Sequence, residues 1–536
     1  MTAATILAGG RIYAPPLREA TAIVMIGDRI AYVGDDTGAR KVASGGVEVD
    51  LAGRLVTPAF ADAHLHAVQT GQVLNGIELH SAPSRDEVLA AVARFARRYP
   101  DRRLIAGQGW DERHWPDPRP PTRAELDRAS GGRPVYLARV DMHSAIVSTA
   151  LLSRLGGIED AAGYRADGLL SGPAHHLGRG GMNRLFSDAE RRADAATALR
   201  RAAAHGITQV HELGGPQLGP VEDLRRVQDV GAEIGLTVRA YWGEEATTDS
   251  LAAARAYGAV GLAGDLCIDG ALGSRTAALI DPYADQPRTD WHGCRYLDDE
   301  AIAEHVRTCT LAGVQAGFHC IGDDAVAAAI AGLRRVAAEL GPQAVRRRRH
   351  RLEHLEMADE GDFATLQKLG VVASVQPGFD AAWGGAGELY DQRLGGDRSR
   401  AMNRFGSLHR AGVALAFGSD SPVTPIGGWA TVSAAVRHSQ PAERLGVADA
   451  FTAATLGGQR AGLTDDCGLI RPGWRADLAV WDVDEVELDP ITGLPARPGD
   501  SRLPSCWATL AGGRQIHGPD DVGLPTHRPT PTQPPE

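Results

Sequence analysis

From Gly206 onward, short apolar segments alternate with stretches rich in Ala, Leu and Arg, and this alternation limits the fold more than any other feature of the chain. The segments are ITQVHEL, LTVRAYW, DLCIDG, VQAGFHC, HRLEHLE, VVASVQP and VALAFGSD. Strand-length apolar runs separated by helical stretches are the signature of βαβ units, because a parallel neighbour is reached only through a crossover. Adding Leu55 to His66 gives eight strands. Eight parallel strands predict an α/β fold closed into a (β/α)8 TIM barrel rather than an open sheet.

The two ends of the chain follow a different pattern. Thr5 to Tyr13, Ala22 to Val33 and Val47 to Val56 alternate apolar and polar residues between turn signals such as Gly27-Asp28 and Gly34-Asp35-Asp36. Similar strands return at Ala476 to Asp482 and Trp507 to His517. Residues 1–57 and 465–518 are therefore expected to build one small β-sandwich domain, with 58–464 as the barrel. Residues 67–196 interrupt the repeat after its first strand and carry strands of their own, Leu104 to Gly107 and Pro134 to Arg139, with Pro-rich loops near Trp115 to Pro121. An insertion there sits at the C-terminal mouth of a barrel, where a lid or substrate-selecting subdomain belongs. Residues 519–536 are rich in Pro and Thr and read as a disordered or surface-bound tail.

With 536 residues, 43% hydrophobic and 23% charged, the composition is that of an ordinary globular protein. A formal charge of −11 argues against a general nucleic-acid surface, which needs clustered cations to displace counterions. The one basic run, Arg346 to Arg351, reads as a solvated helix end or loop. Six cysteines without a CxxC pair form no disulfide or zinc-ribbon framework, so a reducing compartment is expected. The N-terminus lacks a signal-peptide pattern, and no run of some eighteen apolar residues implies a membrane span. A cytoplasmic protein acting on a small molecule follows, with a homodimer left open.

The chemistry is concentrated at strand ends. Asp62-Ala63-His64-Leu65-His66 closes the first barrel strand. Side chains alternate faces along a strand, so Asp62, His64 and His66 share one side, with the two imidazoles about 7 Å apart. Two such imidazoles can converge on one metal ion, although an isolated HxH is more often a hydrogen-bonded pair at a strand end. His319 closes GFHCIGD, His354 closes RLEH and Asp420 closes AFGSDSP. In a barrel these ends form one ring, so residues far apart in sequence can meet there.

PAFADAHLH, DGALGSRTAAL, FHCIGDDA, RLEH and GSDSPV are similar to the successive motifs of the amidohydrolase superfamily, in the branch that resembles N-substituted formamide deformylase-like proteins (amidohydrolase family 3). The likeness runs from about residue 5 to residue 515 and covers GQGWDERHW and PVYLARVDMHSAIVS in the insertion. It implies a metal-bearing barrel beside a small β-sandwich made from both chain ends. Similar proteins often carry a carboxylated lysine bridging two metals, four residues before the Asp-Gly of DGALGS; here Asp265 stands at that position. Asp265, Cys267 and Asp269 are expected on the inward face of strand four, with Asp265 about 13 Å below Asp269 and so short of the rim. One ion, most simply Zn²⁺, is then favoured over two. Its ligands are His64, His66, His319 and Asp420, as in the family's mononuclear members. A second ion through His354 with Asp265 or Cys267 remains the alternative, a buried cysteine such as Cys267 being more often a packing residue.

Such an ion lowers the pKa of its water toward about 7. Asp420 would take the water proton and return it to the leaving nitrogen, and His354 or the metal would stabilise the oxyanion, so His319, His354 and Asp420 are the catalytic candidates. Trp110, His143, Asp269 and Arg275 are candidate substrate contacts, His143 in a family Asp-Gly-His pattern whose Gly is Met142 here. Trp115, Trp383 and Trp429 read as pocket lining or as packing, the pair His175-His176 as surface, and His211-Glu212 as a strand end near the site. The leading function is hydrolysis of an amide or N-substituted formamide. A deaminase or cyclic amide or amidine hydrolase shares the same chemistry, and a catalytically inactive ligand-binding barrel is the reading from a different class.

Overall fold

The computed structural model describes residues 4–286, 290–484, 488–489, 492–495, 502–520 and 522–527. Its centre is an eight-stranded parallel sheet. In chain order, barrel strands one to eight are Phe60–Leu65, Ile207–Gly214, Thr237–Trp242, Gly261–Leu262, Gln315–Cys320, Arg351–His354, Val372–Val375 and Ala414–Phe417. Each strand lies beside its sequence neighbour. Helices such as Glu222–Ile234, Asp299–Ala312 and Asp323–Leu340 fill the crossovers, so the predicted (β/α)8 barrel is observed. Apolar residues of strands and helices form one large core, including Val210, Phe318, Leu352, Ile330 and Val432.

Closure falls between strands one and eight. A bridge joins Leu65 to Ser421, the Asp420 amide donates to the His64 carbonyl at 2.8 Å, and the His66 amide donates to the Ser421 carbonyl at 3.0 Å. Asp62 reinforces this seam. Its carboxylate accepts from the Ser419 hydroxyl at 2.6 Å, the Ser419 amide at 2.9 Å and the His64 amide at 3.2 Å. Burial pushes its carboxyl up to about 6, against the opposing pull of these donors.

Leu55 to His66 is two strands rather than one. Leu55–Pro58 pairs antiparallel with Leu478–Asp482, and only Phe60–Leu65 enters the barrel. The break falls at Ala59, whose amide bonds to the Asp477 carbonyl. The N-terminal segment alone builds a four-stranded sheet, and both chain ends contribute to a second sheet of five strands. Leu7, Ile23, Val49 and Val56 share their core with Leu478, Val480, Ala508 and Leu510. The insertion forms another five-stranded sheet, from Ile77–Glu78, Ile105–Trp110, Val135–Arg139, Ser144–Val147 and Leu169–Ser171. Of the tail, Thr526 bridges Gln515 and His527 bonds to the Ala232 carbonyl, whereas residues 521 and 528–536 lie outside the described residues.

Arg351 corrects the expectation of a wholly solvated basic run. It opens barrel strand six and is fully buried, because strand alternation turns it into the barrel. All six cysteines are free, and no described helix is long and apolar enough to cross a membrane.

Replacing Asp62 by Ala leaves its three donors without their acceptor in the interior. Denaturant unfolding should then show a loss of about 3 kcal/mol. An unchanged midpoint would mean that the seam does not depend on this carboxylate.

Candidate metal centre and active site

The barrel brings the strand-end residues to one centre. His64, His66 and Asp420 offer ligand atoms that all lie within 4.8 Å of one another, and His64, Asp265 and His354 form a second such group. Asp420 Oδ1 lies 3.0 Å from His66 Nε2 and 3.4 Å from His64 Nε2. The His319 ring adjoins His354 at 4.5 Å between centroids, and His143 adjoins His319 at 5.2 Å.

Three of the imidazoles are aimed by a bond at the other nitrogen, whereas neither ring nitrogen of His319 has a hydrogen-bond partner among the described residues. His64 Nδ1 donates to Glu353 Oε2 at 2.9 Å, His66 Nδ1 to the Leu213 carbonyl at 2.8 Å, and His354 Nδ1 to Gln376 Oε1 at 2.8 Å. These bonds direct the Nε2 lone pairs at the centre, as metal-binding histidines require. Glu353 is anchored in turn by the buried guanidinium of Arg351, which also bonds to the Ala63 carbonyl, Ser374 and His211. Nε2 of His64, His319 and His354, and Oδ1 of Asp265, are buried without a hydrogen-bond partner among the described residues. Buried polar atoms rarely go unpaired, so a cluster of nitrogen and carboxylate donors in this state fits a divalent cation.

Burial works against charge on His64, His66 and His319, yet the neighbouring carboxylates outweigh it and raise all three imidazoles, so a cation binding here would displace their protons. Burial opposes the charge on Asp265, yet His66, His64 and His319 outweigh it and hold its carboxyl well below the ordinary range. Asp420 is likewise held low, with burial overcome by His64 and His66. His354 is pushed down to about 3, by burial first and then by His319. The carboxylates therefore remain ionised while His354 keeps its lone pair.

The position of Asp265 corrects the expectation that it falls short of the rim. Barrel strand four ends after Gly261–Leu262, and beyond it only Cys267 bridges to His319. The chain rises irregularly, and the Asp265 carboxylate stands 3.4 Å from His66 Nε2 and 3.6 Å from His64 Nε2. This removes the distance argument for a single ion. Cys267 lines the same cavity, its thiol pushed well up by burial.

Two lobes adjoin the centre. A polar lobe is lined by Gln69, His143, His176, Arg179 and Gln217, and an aromatic lobe by Leu272, Phe379, Trp383, Leu389 and Tyr390. His143 faces both, and burial pushes its imidazole well down, so it is neutral. Met142 adopts φ +58, keeping the left-handed backbone that glycine favours.

Other candidates lie elsewhere. Asp269 is fully buried and accepts from the amides of Ala278, Ile321 and Gly322, with Oδ1 3.6 Å from His319 Nδ1, so it supports that histidine without lining either lobe. Trp110 donates to the Leu137 carbonyl, and Arg275 pairs with Asp285; both border an outer groove instead. The helical turn and sheet of the insertion bury Trp115, and Trp429 packs in the barrel core against Phe60. The pair His175-His176 is not at the surface: His175 is buried against the Tyr136 hydroxyl at 2.7 Å and His176 faces the polar lobe, because this segment forms the helix Gly172–Asn183. His211 and Glu212 stand behind the centre, bonded to Arg351 and to the Ala67 amide. Glu353 was legible only as a letter within RLEH, and Arg179, Phe379 and Tyr390 carried no signal beyond residue type.

A barrel with such a cluster at its mouth defines a class, the metal-dependent hydrolases. The profile of the amidohydrolase family matches residues 47–517, and the chain belongs to that family. It is 26% identical to N-substituted formamide deformylase of Arthrobacter pascens, over 87% of this chain and 91% of that protein. It is 28% identical to Protein LONG AFTER FAR-RED 3 of Arabidopsis thaliana, over 89% and 84%. Among solved structures, an uncharacterized metal-dependent hydrolase of Pyrococcus horikoshii OT3 superimposes with a TM-score of 0.72 at 27% identity, covering 90% of this chain and 98% of that one.

Glu353→Gln retains shape but weakens the grip on His64. Competition titration with a chromophoric chelator should show metal affinity reduced by about 10- to 100-fold. Undiminished affinity would leave Glu353 without an orienting role.

Proposed function

We propose that the chain hydrolyses the C–N bond of a small N-substituted amide or formamide. The observation that carries this is the Asp420 carboxylate, buried and ionised, beside the Nε2 atoms of His64 and His66. The likeness to a formamide deformylase over most of both chains supports the same bond type.

His64, His66 and Asp420 would hold one divalent cation, most simply Zn²⁺, and His319, His354 and Asp265 a second. Bound metal supplies Lewis acidity that makes water nucleophilic near neutral pH. Asp420 receives the proton of the attacking water at a carboxylate oxygen and returns it to the leaving nitrogen, since expulsion of an unprotonated amide nitrogen is prohibitive. The neutral His143, facing the centre from the insertion, donates to the carbonyl oxygen as negative charge develops there. Phe379, Trp383 and Tyr390 take the apolar part of the substrate and exclude water. The inserted sheet serves as the wall that selects the substrate.

Purified protein should contain two divalent ions per chain by elemental analysis. Chelation should abolish turnover of a panel of formamides, acylamides and cyclic amidines, and Zn²⁺ should restore it. Full activity in chelator would end the hydrolytic reading. Asp420→Asn should lower kcat by about 10²- to 10⁴-fold in steady-state assays of the best substrate.

A further inference from the structure

Five arginines are buried among the described residues: Arg139, Arg179, Arg191, Arg351 and Arg393. Four are paired with carboxylates, Arg139 with Asp111, Glu112 and Asp141, Arg191 with Asp223, Arg351 with Glu353 and Arg393 with Asp285. Arg179 is the exception. It projects from the helix Gly172–Asn183 into the polar lobe, 7% exposed, and no described carboxylate pairs with it. Its Nη2 donates to the Met142 carbonyl, and its Nε is buried without a partner.

Asp141, Asp265 and Asp420 line the same lobe but are engaged elsewhere, Asp141 with Arg139 and the other two with His64 and His66, and the Tyr136 phenol beside Arg179 is uncharged. His143, His175 and His176 are held neutral, by burial first and with the Arg179 charge adding to it. A buried charge without a counter-ion is costly, and capping one carbonyl does not require a guanidinium. The same lobe is lined by His66, Asp265 and Asp420, so a group held by Arg179 lies beside the reacting centre.

We propose that Arg179 anchors a carboxylate on the substrate, so that the amides hydrolysed at this site bear an anionic group close to the scissile bond. This rests on the amide-hydrolase reading above. The planar guanidinium offers two parallel donors that match a carboxylate, and a substrate can supply the counter-charge that the fold withholds. The aromatic lobe across the centre takes the apolar remainder.

The test compares N-formyl-phenylalanine with N-formyl-2-phenylethylamine, which lacks only the carboxylate, on the holoenzyme and on Arg179→Met. Wild type should favour the acid by at least about tenfold in kcat/KM, chiefly through KM, and Arg179→Met should bring that ratio near one, with partial recovery in Arg179→Lys. A ratio that persists while both substrates slow equally would assign Arg179 a structural role and overturn the proposal. Hydrolysis of the neutral formamide without preference for the acid sinks the anchor and leaves the amide-hydrolase reading standing.

Calorimetry with 3-phenylpropionate and its neutral amide, 3-phenylpropanamide, gives a second measurement that needs no turnover. The acid should bind at least about tenfold tighter to wild type and lose that advantage in Arg179→Met. Equal binding overturns the proposal. If neither formamide is hydrolysed but Arg179-dependent acid binding is seen, the C–N reading fails and the anchor holds. Inorganic phosphate binding as tightly as 3-phenylpropionate would assign the lobe to a free anion and overturn a substrate role.

Discussion

The ion pair between Arg351 and Glu353, with His64 hydrogen-bonded to its carboxylate, is the constraint on which the rest of the site depends. Both charged residues are fully buried inside the barrel. Taking two charges out of water is costly, so such a pair persists only where its remaining donors and acceptors are satisfied. Here they are: the guanidinium reaches the Ala63 carbonyl of strand one, Ser374 of strand seven and His211 of strand two. One side chain from strand six thereby ties three other strands together and fixes the imidazole at the centre. The His64 ring is thereby held in one orientation, as an outer partner holds an imidazole that is to bind a cation.

Around that centre the structure divides labour. The barrel supplies nitrogen and carboxylate donors, and Asp269 braces the loops behind His319 through three backbone amides. The loop after strand four contributes Ala271, Leu272 and Gly273 to the aromatic lobe. The insertion supplies His143, His176 and Arg179 to the polar one. The polar lobe is thus walled in part by the insertion and the aromatic lobe by loops of the barrel itself.

Much of this was legible from local patterns, and the misses share one origin. HxH, His319, His354 and Asp420 were readable because each closes an apolar run, and a closed barrel turns such ends into a ring. His354 shows the limit of that logic. It adjoins Glu353, which faces inward, so strict alternation would point it outward; φ +69 breaks the pleat and re-aims it at the centre. Asp420, at φ +51, is placed in the same way. Such conformations are disfavoured for residues with a Cβ and persist only where the surrounding structure compels them. Asp265 was misjudged because regular strand geometry was extended past Leu262, where the ladder has ended.

The amino-acid sequence by itself determined the eight βα units, the pairing of both chain ends, the insertion after the first strand and the residue types that gather at the strand ends. These follow from periodicity and chemistry, which are properties of neighbouring residues. The tertiary structure alone decided that Asp265 joins the donors, that Arg351 turns inward to hold Glu353, that His175 is interior, and that Arg179 stands buried without a counter-ion. Each of those depends on where one segment stops pairing and which distant segment it then meets, and hydrogen bonds across the closed barrel settle that, not the residues beside it in the chain.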